Sequence, residues 1–283
     1  MRAERHVARS DRASRRAVSA LPRLPGCLTV VHVVVASYNI HRGRGLDRRR
    51  DIDRIADVLE EISPDIVGLQ EVVQTPGDPR ADQAVYLAER LGMDLVMGVT
   101  RAYGAEGHYG NAVLARLPVT GNARCDLSHR AREPRGALRV DVSVSGRTIH
   151  IFNCHFGLSL RERRHQLSAL AGFIRTSSGL EGPRVLMGDF NEWHRGPITR
   201  GLRAEFSSPM RRMRRTHPSF FPLFRLDRIY WDVELEGQTF HPHRSRLARV
   251  ASDHLPVVAR LRVRPLRELH HSYVTGDALP PAE

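Results

Sequence analysis

A series of short apolar runs, each closed by Gly, Pro, Asn or a charged residue, constrains this chain more than any other feature. They read "TVVHVVVASYN", "DIVGLQEV", "GNAVLARL", "ALRVDVSV", "TIHIFNCHF", "RVLMGDF", "LDRIYW" and "LPVVARLRV". Rich in Val and Ile and bounded by turn residues, they predict β-strands. Amphipathic patterns at helical spacing separate the early runs. "DIDRIADVLEEIS" puts Ile52, Ile55, Val58, Leu59 and Ile62 on one stripe, and "ADQAVYLAERLG" ends on the helix-stopping Gly92. "LSLRERRHQLSALAGFI" opens with Ser159 and carries Glu162 three residues on, the pattern of a capping box. The later strands follow one another without helices. An α+β sandwich, two sheets face to face with helices outside, satisfies this order.

Length and charge narrow the rest. The 283 residues, 41% hydrophobic, suffice for one substantial core, and no repeat or long linker divides them. No run approaches the roughly 18 apolar residues that a membrane span needs. "CLTVVHVVVA" leads straight into "SYNIHRG" and is read as the first core strand, not as a leader. Residues 1–28 are expected to be a disordered extension or no part of the natural protein, 29–265 the domain, and 266–283 a loose tail. Cys27, Cys125 and Cys154 are too few and too scattered for a disulfide framework or a zinc site, so a reduced, cytoplasmic monomer is expected. The net charge of +13, its basic side chains all Arg, favours an anionic partner such as nucleic acid, a phospholipid headgroup or a phosphate ester.

The strand ends carry polar residues that packing does not require. Asn39 closes the first strand, Glu71 "DIVGLQE", His155 "IFNCH", and Asp189 with Asn191 "VLMGDFN"; Asp227 lies in "RLDRIY", and Asp253 with His254 in "SDHLPVV". A sandwich can gather them at one rim. The mixture suits hydrolysis of a phosphate ester: hard carboxylate oxygens bind Mg²⁺ or Mn²⁺, and an imidazole oriented by a carboxylate moves a proton near neutral pH.

The set "SYNIHRG", "DIVGLQEV", "YGNAVLARLPV", "NCHFG", "GDFNEW", "LDRIYW" and "SDHLPV" resembles the endonuclease/exonuclease/phosphatase superfamily from about Val31 to Val263. The resemblance implies a deoxyribonuclease I-like, four-layered α/β/β/α sandwich of two mixed sheets. It implies Glu71 as principal metal carboxylate, with Asn39 and Asp253 beside the Mg²⁺ or Mn²⁺. It implies Asp189 and Asn191 as the pair that positions water and a phosphoryl oxygen, His254 as general base oriented by Asp227, and His155 as a second histidine at the phosphate.

Arg135 in "EPRGALRV" is a candidate phosphate clamp, and His108 and Asn111 in "GHYGNAV" are candidate substrate contacts; a pairing with Glu133 and a turn role are the plain alternatives. "MRRMRRTHPSFFPLFRLDRIY" is either a rim loop gripping an anionic, partly apolar substrate or an Arg cluster with core-filling aromatics. The expected activity is hydrolysis of a lipid headgroup or small phosphate ester. A Mg²⁺-dependent nuclease is the alternative, and a non-catalytic binding protein a third.

Overall fold

Side-chain alternation along β1 (Val31–Asn39) generates the layers: Val33 and Val35 face a second sheet, whereas Ala36 and Tyr38 face helices. The computed structural model describes residues 31–75, 77, 80–105, 107–177, 181–194, 196–206 and 214–264; the expected terminal segments 1–28 and 266–283 lie outside these. After β1 come α1 (Ile52–Ile62), β2 (Ile66–Gln74), α2 (Gln83–Leu91), β3 (Asp94–Tyr103), β4 (Gly107–Ala115), β5 (Val119–Asp126), β6 (Gly136–Val144) and β7 (Arg147–His155). The chain continues through α3 (Leu160–Thr176), β8 (Arg184–Asp189), α4 (Pro197–Glu205), β9 (Asp227–Trp231), β10 (Leu235–Pro242), the short α5 (Ala248–Ala251) and β11 (Val257–Val263).

Six strands form one mixed sheet in the order β10-β11-β1-β2-β4-β3, and five form the other in the order β5-β6-β7-β8-β9. β1 packs across β8 and β9, and β4 across β6 and β7. The stripe Ile52, Ile55, Val58 and Leu59 of α1 and Leu87 and Leu91 of α2 cover the first sheet, while Leu170 and Ile174 of α3 and Ile198 and Leu202 of α4 are buried in the core that includes the second. The expected capping box is present: Glu162 N–H donates to Ser159 Oγ at 3.2 Å, and Glu162 Oε2 accepts from Ser159 N–H at 3.5 Å. Gly92 closes α2 at φ 61°, as its stop role requires.

The strands absent from the sequence expectation, β3, β5 and β10, are edge strands. These three bury few large apolar side chains; β5 alternates half-buried and exposed, but its inward Gly121, Ala123 and Cys125 are too small to read as a core face, whereas the edge strand β9 is buried throughout. In α4 the pair Ile198 and Leu202 marks the buried face, but Gly201 and the initial Pro197 obscure the helix.

The two sheets approach closely enough that a Cβ on Gly68 would stand 2.5 Å from Met187 Sδ. Beside this contact a buried amide network crosses the sandwich. Gln70 Nε2 donates to Asn153 Oδ1 at 2.7 Å, and Asn153 Nδ2 donates to the Leu69 and Ala112 carbonyls, each at 2.9 Å. Replacing Asn153 with Ala removes three buried hydrogen bonds and is expected to cost about 2–4 kcal/mol. The check is a urea unfolding curve; a change under about 0.5 kcal/mol would remove the network from the account of stability.

Candidate active site

A β-bulge brings the first carboxylate into place. Pairing between β2 and β4 steps from Leu69↔Ala112 to Val72↔Gly110, so Gln70 and Glu71 together oppose Asn111. Val67, Leu69 and Val72 consequently all face the helices, and Glu71, at φ 58°, turns aside from them. A bulky non-glycine residue rarely adopts this conformation, and such residues concentrate at functional sites. His41 at φ 47° and Asn191 at φ 47° share it.

Glu71 joins a cleft of about 350 Å³ at the common edge of the two sheets, lined also by Asn39, Arg135, His155, Asp189, Asn191, Asp253 and His254. Asn39 organises one wall. Its Oδ1 accepts from the His41 N–H at 3.0 Å, so its Nδ2 must face the acids, donating to Asp189 Oδ2 at 3.0 Å and Glu71 Oε1 at 3.3 Å. Its nitrogen, not its oxygen, faces the carboxylates, which makes Asn39 a positioning residue here rather than a direct metal ligand. Asp189 Oδ1 accepts from the Asn191 N–H at 2.9 Å, closing the turn after β8. The next residue, Glu192, points inward. It accepts from the N–H groups of Ile198 and Thr199 at the start of α4, each at 3.0 Å, and pairs with the buried Arg228 at 3.0 Å.

His254 lies between two acids. Its Nδ1 is 2.8 Å from Asp227 Oδ2, and its Nε2 is 3.7 Å from Asp189 Oδ2. Burial alone would lower its pKa, but Asp227 and Asp189 outweigh that and push it up to about 10. Burial also raises the Asp189 carboxyl, with Asp227 adding to the rise. The ring therefore holds a proton in this arrangement, and a general-base role requires that the charge of its neighbouring acids first be offset.

His155 behaves in the opposite way. Donors face both of its ring nitrogens: Arg135 Nη1 lies 3.0 Å from Nδ1, and Asn191 Nδ2, which also donates to the Phe156 carbonyl at 2.8 Å, lies 3.2 Å from Nε2. Burial, then the charges of Arg135 and His254, hold its pKa well below the usual value. Arg135 also pairs with Glu133 at 2.8 Å and lines the cleft.

The carboxylates and imidazoles fit a hard divalent cation. Asp227 Oδ1 is buried without a partner. Two donor sets, Asp189/Asp227/His254 and His217/Asp253/His254, each gather within 4.8 Å. Glu71 lies outside both sets but shares the Asn39 amide with Asp189.

Two expected contacts are not at the cleft. His108 is exposed and does not line it. Asn111 donates to the Gly136 carbonyl at 2.9 Å and ties β4 to β6 across the sandwich; opposite a bulge, its amide has a structural task. Conversely, His41, Arg42, Arg101, Tyr109, Trp193 and His217 line the cleft and were not assigned. Tyr109, in the "YGNAV" motif, carries Arg101 over its ring at 4.3 Å. His41 lies two residues beyond Asn39 and faces Asp253 at 3.4 Å, a proximity in sequence that marks it. His217 has no such mark; only the fold places its ring 4.7 Å from that of His254. Of the Arg–Phe segment, residues 210–213 lie outside those described. Phe224 packs on Trp193 with centroids 4.7 Å apart, while Phe220 and Phe221 are exposed, so these two do not fill the core.

Two mixed sheets packed face to face, with the strand-end motifs converging on one cleft at their common edge, define a deoxyribonuclease I-like fold. The chain belongs to the Endonuclease/Exonuclease/phosphatase family, whose model matches residues 36–254. Members of this family are generally phosphoester hydrolases and typically depend on a divalent metal. The uncharacterised protein YbhP of Escherichia coli K12 is 34% identical over 246 residues, covering 81% of this chain and 96% of its own. Among solved structures, Bacteroides thetaiotaomicron mannosyl-6-phosphatase Bt3783 has a TM-score of 0.65 at 21% identity, covering 81% of this chain and 99% of its own. The human Nocturnin catalytic domain has a TM-score of 0.64 at 20% identity, covering 81% and 94%. No described helix is long and apolar enough to cross a membrane.

The charge state of His155 is directly testable. Long-range ¹H–¹⁵N spectra are expected to show it neutral at pH 7, because burial and the donors at both ring nitrogens hold its pKa down. An imidazolium signal at pH 7 would refute the Arg135 argument.

Proposed function

We propose that this protein is a divalent-metal-dependent hydrolase of phosphate esters, acting on a phospholipid headgroup or small phosphate ester. The observation that carries it is the Asp227–His254 pair facing Asp189, which the Asn39 amide links to Glu71. Glu71 and Asp253 are the carboxylates that would hold the cation, which when bound supplies Lewis-acid polarisation of a phosphoryl oxygen. Asn39 orients Glu71. Asp189 and the backbone turn at Asn191 position the water that attacks phosphorus in line. His254 Nε2, 3.7 Å from Asp189 Oδ2, would receive the water's proton once the charge of its two acids is offset, and Asp227 at Nδ1 fixes the ring while it does so. His155, Arg135 and Asn191 line the cleft together and would face the phosphoryl oxygens where negative charge accumulates.

The size of the cleft supports a headgroup-sized ester, and the connections 127–135 and 156–159 add no long recognition insertion beside it. A nuclease is the second reading, favoured by the net charge of +13. It requires DNA cleavage whose binding weakens with salt at a logarithmic slope of about −0.9 per neutralised phosphate.

Asp189→Ala and His254→Ala are each expected to lower turnover of bis-p-nitrophenyl phosphate with Mg²⁺ or Mn²⁺ by at least about 10³-fold, and chelation is expected to stop the wild type until metal is restored. Near-normal rates in either folded variant would defeat the proposed roles. Efficient plasmid or abasic-oligonucleotide cleavage, lost in Asp189→Ala, would establish the nuclease instead.

A further inference from the structure

The edge of the five-stranded sheet that bears the cleft carries a row of connections: 127–135 between β5 and β6, 156–159 between β7 and α3, 190–196 after β8, and the described residues 214–226 before β9. Each of the last three exposes large apolar side chains. Leu158 is 70% exposed, Trp193 54%, Phe220 60% and Phe221 64%, and Leu160 and Leu223 are exposed beside them. Single exposed apolar residues are ordinary, but a set on successive connections around one opening marks a binding surface. Phe220 and Phe221 form the tip of a fold-back in which Phe224 N–H donates to the His217 carbonyl at 2.8 Å, with His217 itself lining the cleft.

Charge adds the second half of the pattern. Next to Leu158 lies a depression of about 630 Å³ lined by His129, Arg130, Arg132, Ser159, Arg161 and Arg164, among others. Among the described residues, these four arginines have no ion-pair partner. The depression and the cleft share walls: Arg132 precedes the cleft residue Glu133, and Ser159 follows the cleft residue Leu158. Glu133 is the only exposed carboxylate among the described residues of these connections, and Arg135 and Arg101 both face it, at 2.8 and 3.6 Å.

We propose that this edge docks on an anionic phospholipid bilayer, with the apolar tips entering the headgroup boundary, the arginine depression receiving lipid phosphates, and the cleft opening onto the membrane surface. Leucines at three of these six exposed positions favour a bilayer over a platform for stacking nucleic-acid bases, which uses aromatic rings. Basic and apolar side chains acting together are what interfacial binding requires, since neither alone gives firm attachment. The proposal rests on the phosphoester reading for the cleft and adds where its substrate resides.

The test is co-sedimentation of the full chain with phosphatidylglycerol/phosphatidylcholine vesicles and with phosphatidylcholine vesicles, beside hydrolysis of soluble bis-p-nitrophenyl phosphate. The wild type is expected to partition onto the anionic vesicles and to retain part of that binding at high salt. The double variant Phe220→Ser/Phe221→Ser is expected to lose about tenfold in partition with soluble-ester hydrolysis unchanged. Arg130→Gln with Arg161→Gln is expected to weaken binding to the anionic vesicles alone. No partition of the wild type, or equal partition of the Phe variant, overturns the proposal, as does displacement of the vesicles by single-stranded DNA with the same Phe dependence. Vesicle binding without ester hydrolysis would remove the hydrolase and leave the docking; hydrolysis without vesicle binding would remove the docking alone.

Discussion

One carboxamide joins the two sheets where the chemistry is proposed to occur. Asn39 stands on β1, and its Nδ2 reaches Glu71 on the same sheet and Asp189 on the other. Because its oxygen is taken by the His41 N–H, the amide cannot turn over without abandoning all three partners. Two acids brought this close repel unless donors or a cation intervene, and Asn39 supplies the donor. Deeper in the sandwich Gln70, Asn153 and Asn111 repeat the device with backbone carbonyls as acceptors. Apolar faces alone leave two sheets free to slide; directed amides fix one relative position, and the cleft inherits that precision.

Left-handed, non-glycine residues gather at the same place. Glu71, His41 and Asn191 all have positive φ, and the N–H groups of His41 and Asn191 are held by Asn39 Oδ1 and Asp189 Oδ1. At Glu71 the bulge reconciles two demands. The strand must bury Val67, Leu69 and Val72 against the helices, and it must release one carboxylate from that alternation. A regular strand would have buried Glu71 beneath α2 as an unpaired charge, which costs far more than a bulge.

What the sequence revealed follows from the same physics. Central strands and the helix stripes were legible because burial on one or both faces writes a period into the residues. The edge strands β3, β5 and β10 were not, because they bury few large apolar side chains. Asn39, Glu71, His155, Asp189, Asn191, Asp253 and His254 stood out as polar ends of apolar runs, and the fold does gather them in one cleft; Asp227 stands behind His254. Asn111 kept two readings, substrate contact or turn, because an amide opposite a bulge looks the same in sequence as an amide facing a ligand. His217 escaped notice because its segment reaches the cleft only by folding back through Phe224, a contact that no local pattern encodes. The proton on His254 was equally hidden: it arises from two acids distant in the chain and close only in space.

The strand end Asp189–Phe190–Asn191–Glu192 shows how neighbouring residues divide the work. Phe190 is buried between Phe156 and Tyr230 and anchors the turn in the core. Asp189 and Asn191 face the cleft on either side of it. Glu192 is acidic as well, yet it is turned inward, where Thr199, Ile198 N–H and Arg228 satisfy it from three directions. A buried ion pair contributes little net stability against an apolar substitute, but it allows few geometries. By binding the start of α4 and β9 at once, Glu192 sets where the turn stops, and thereby how far Asp189 and Asn191 stand from His155 and His254. The carboxylate that faces away from the cleft thus does as much to define it as those within.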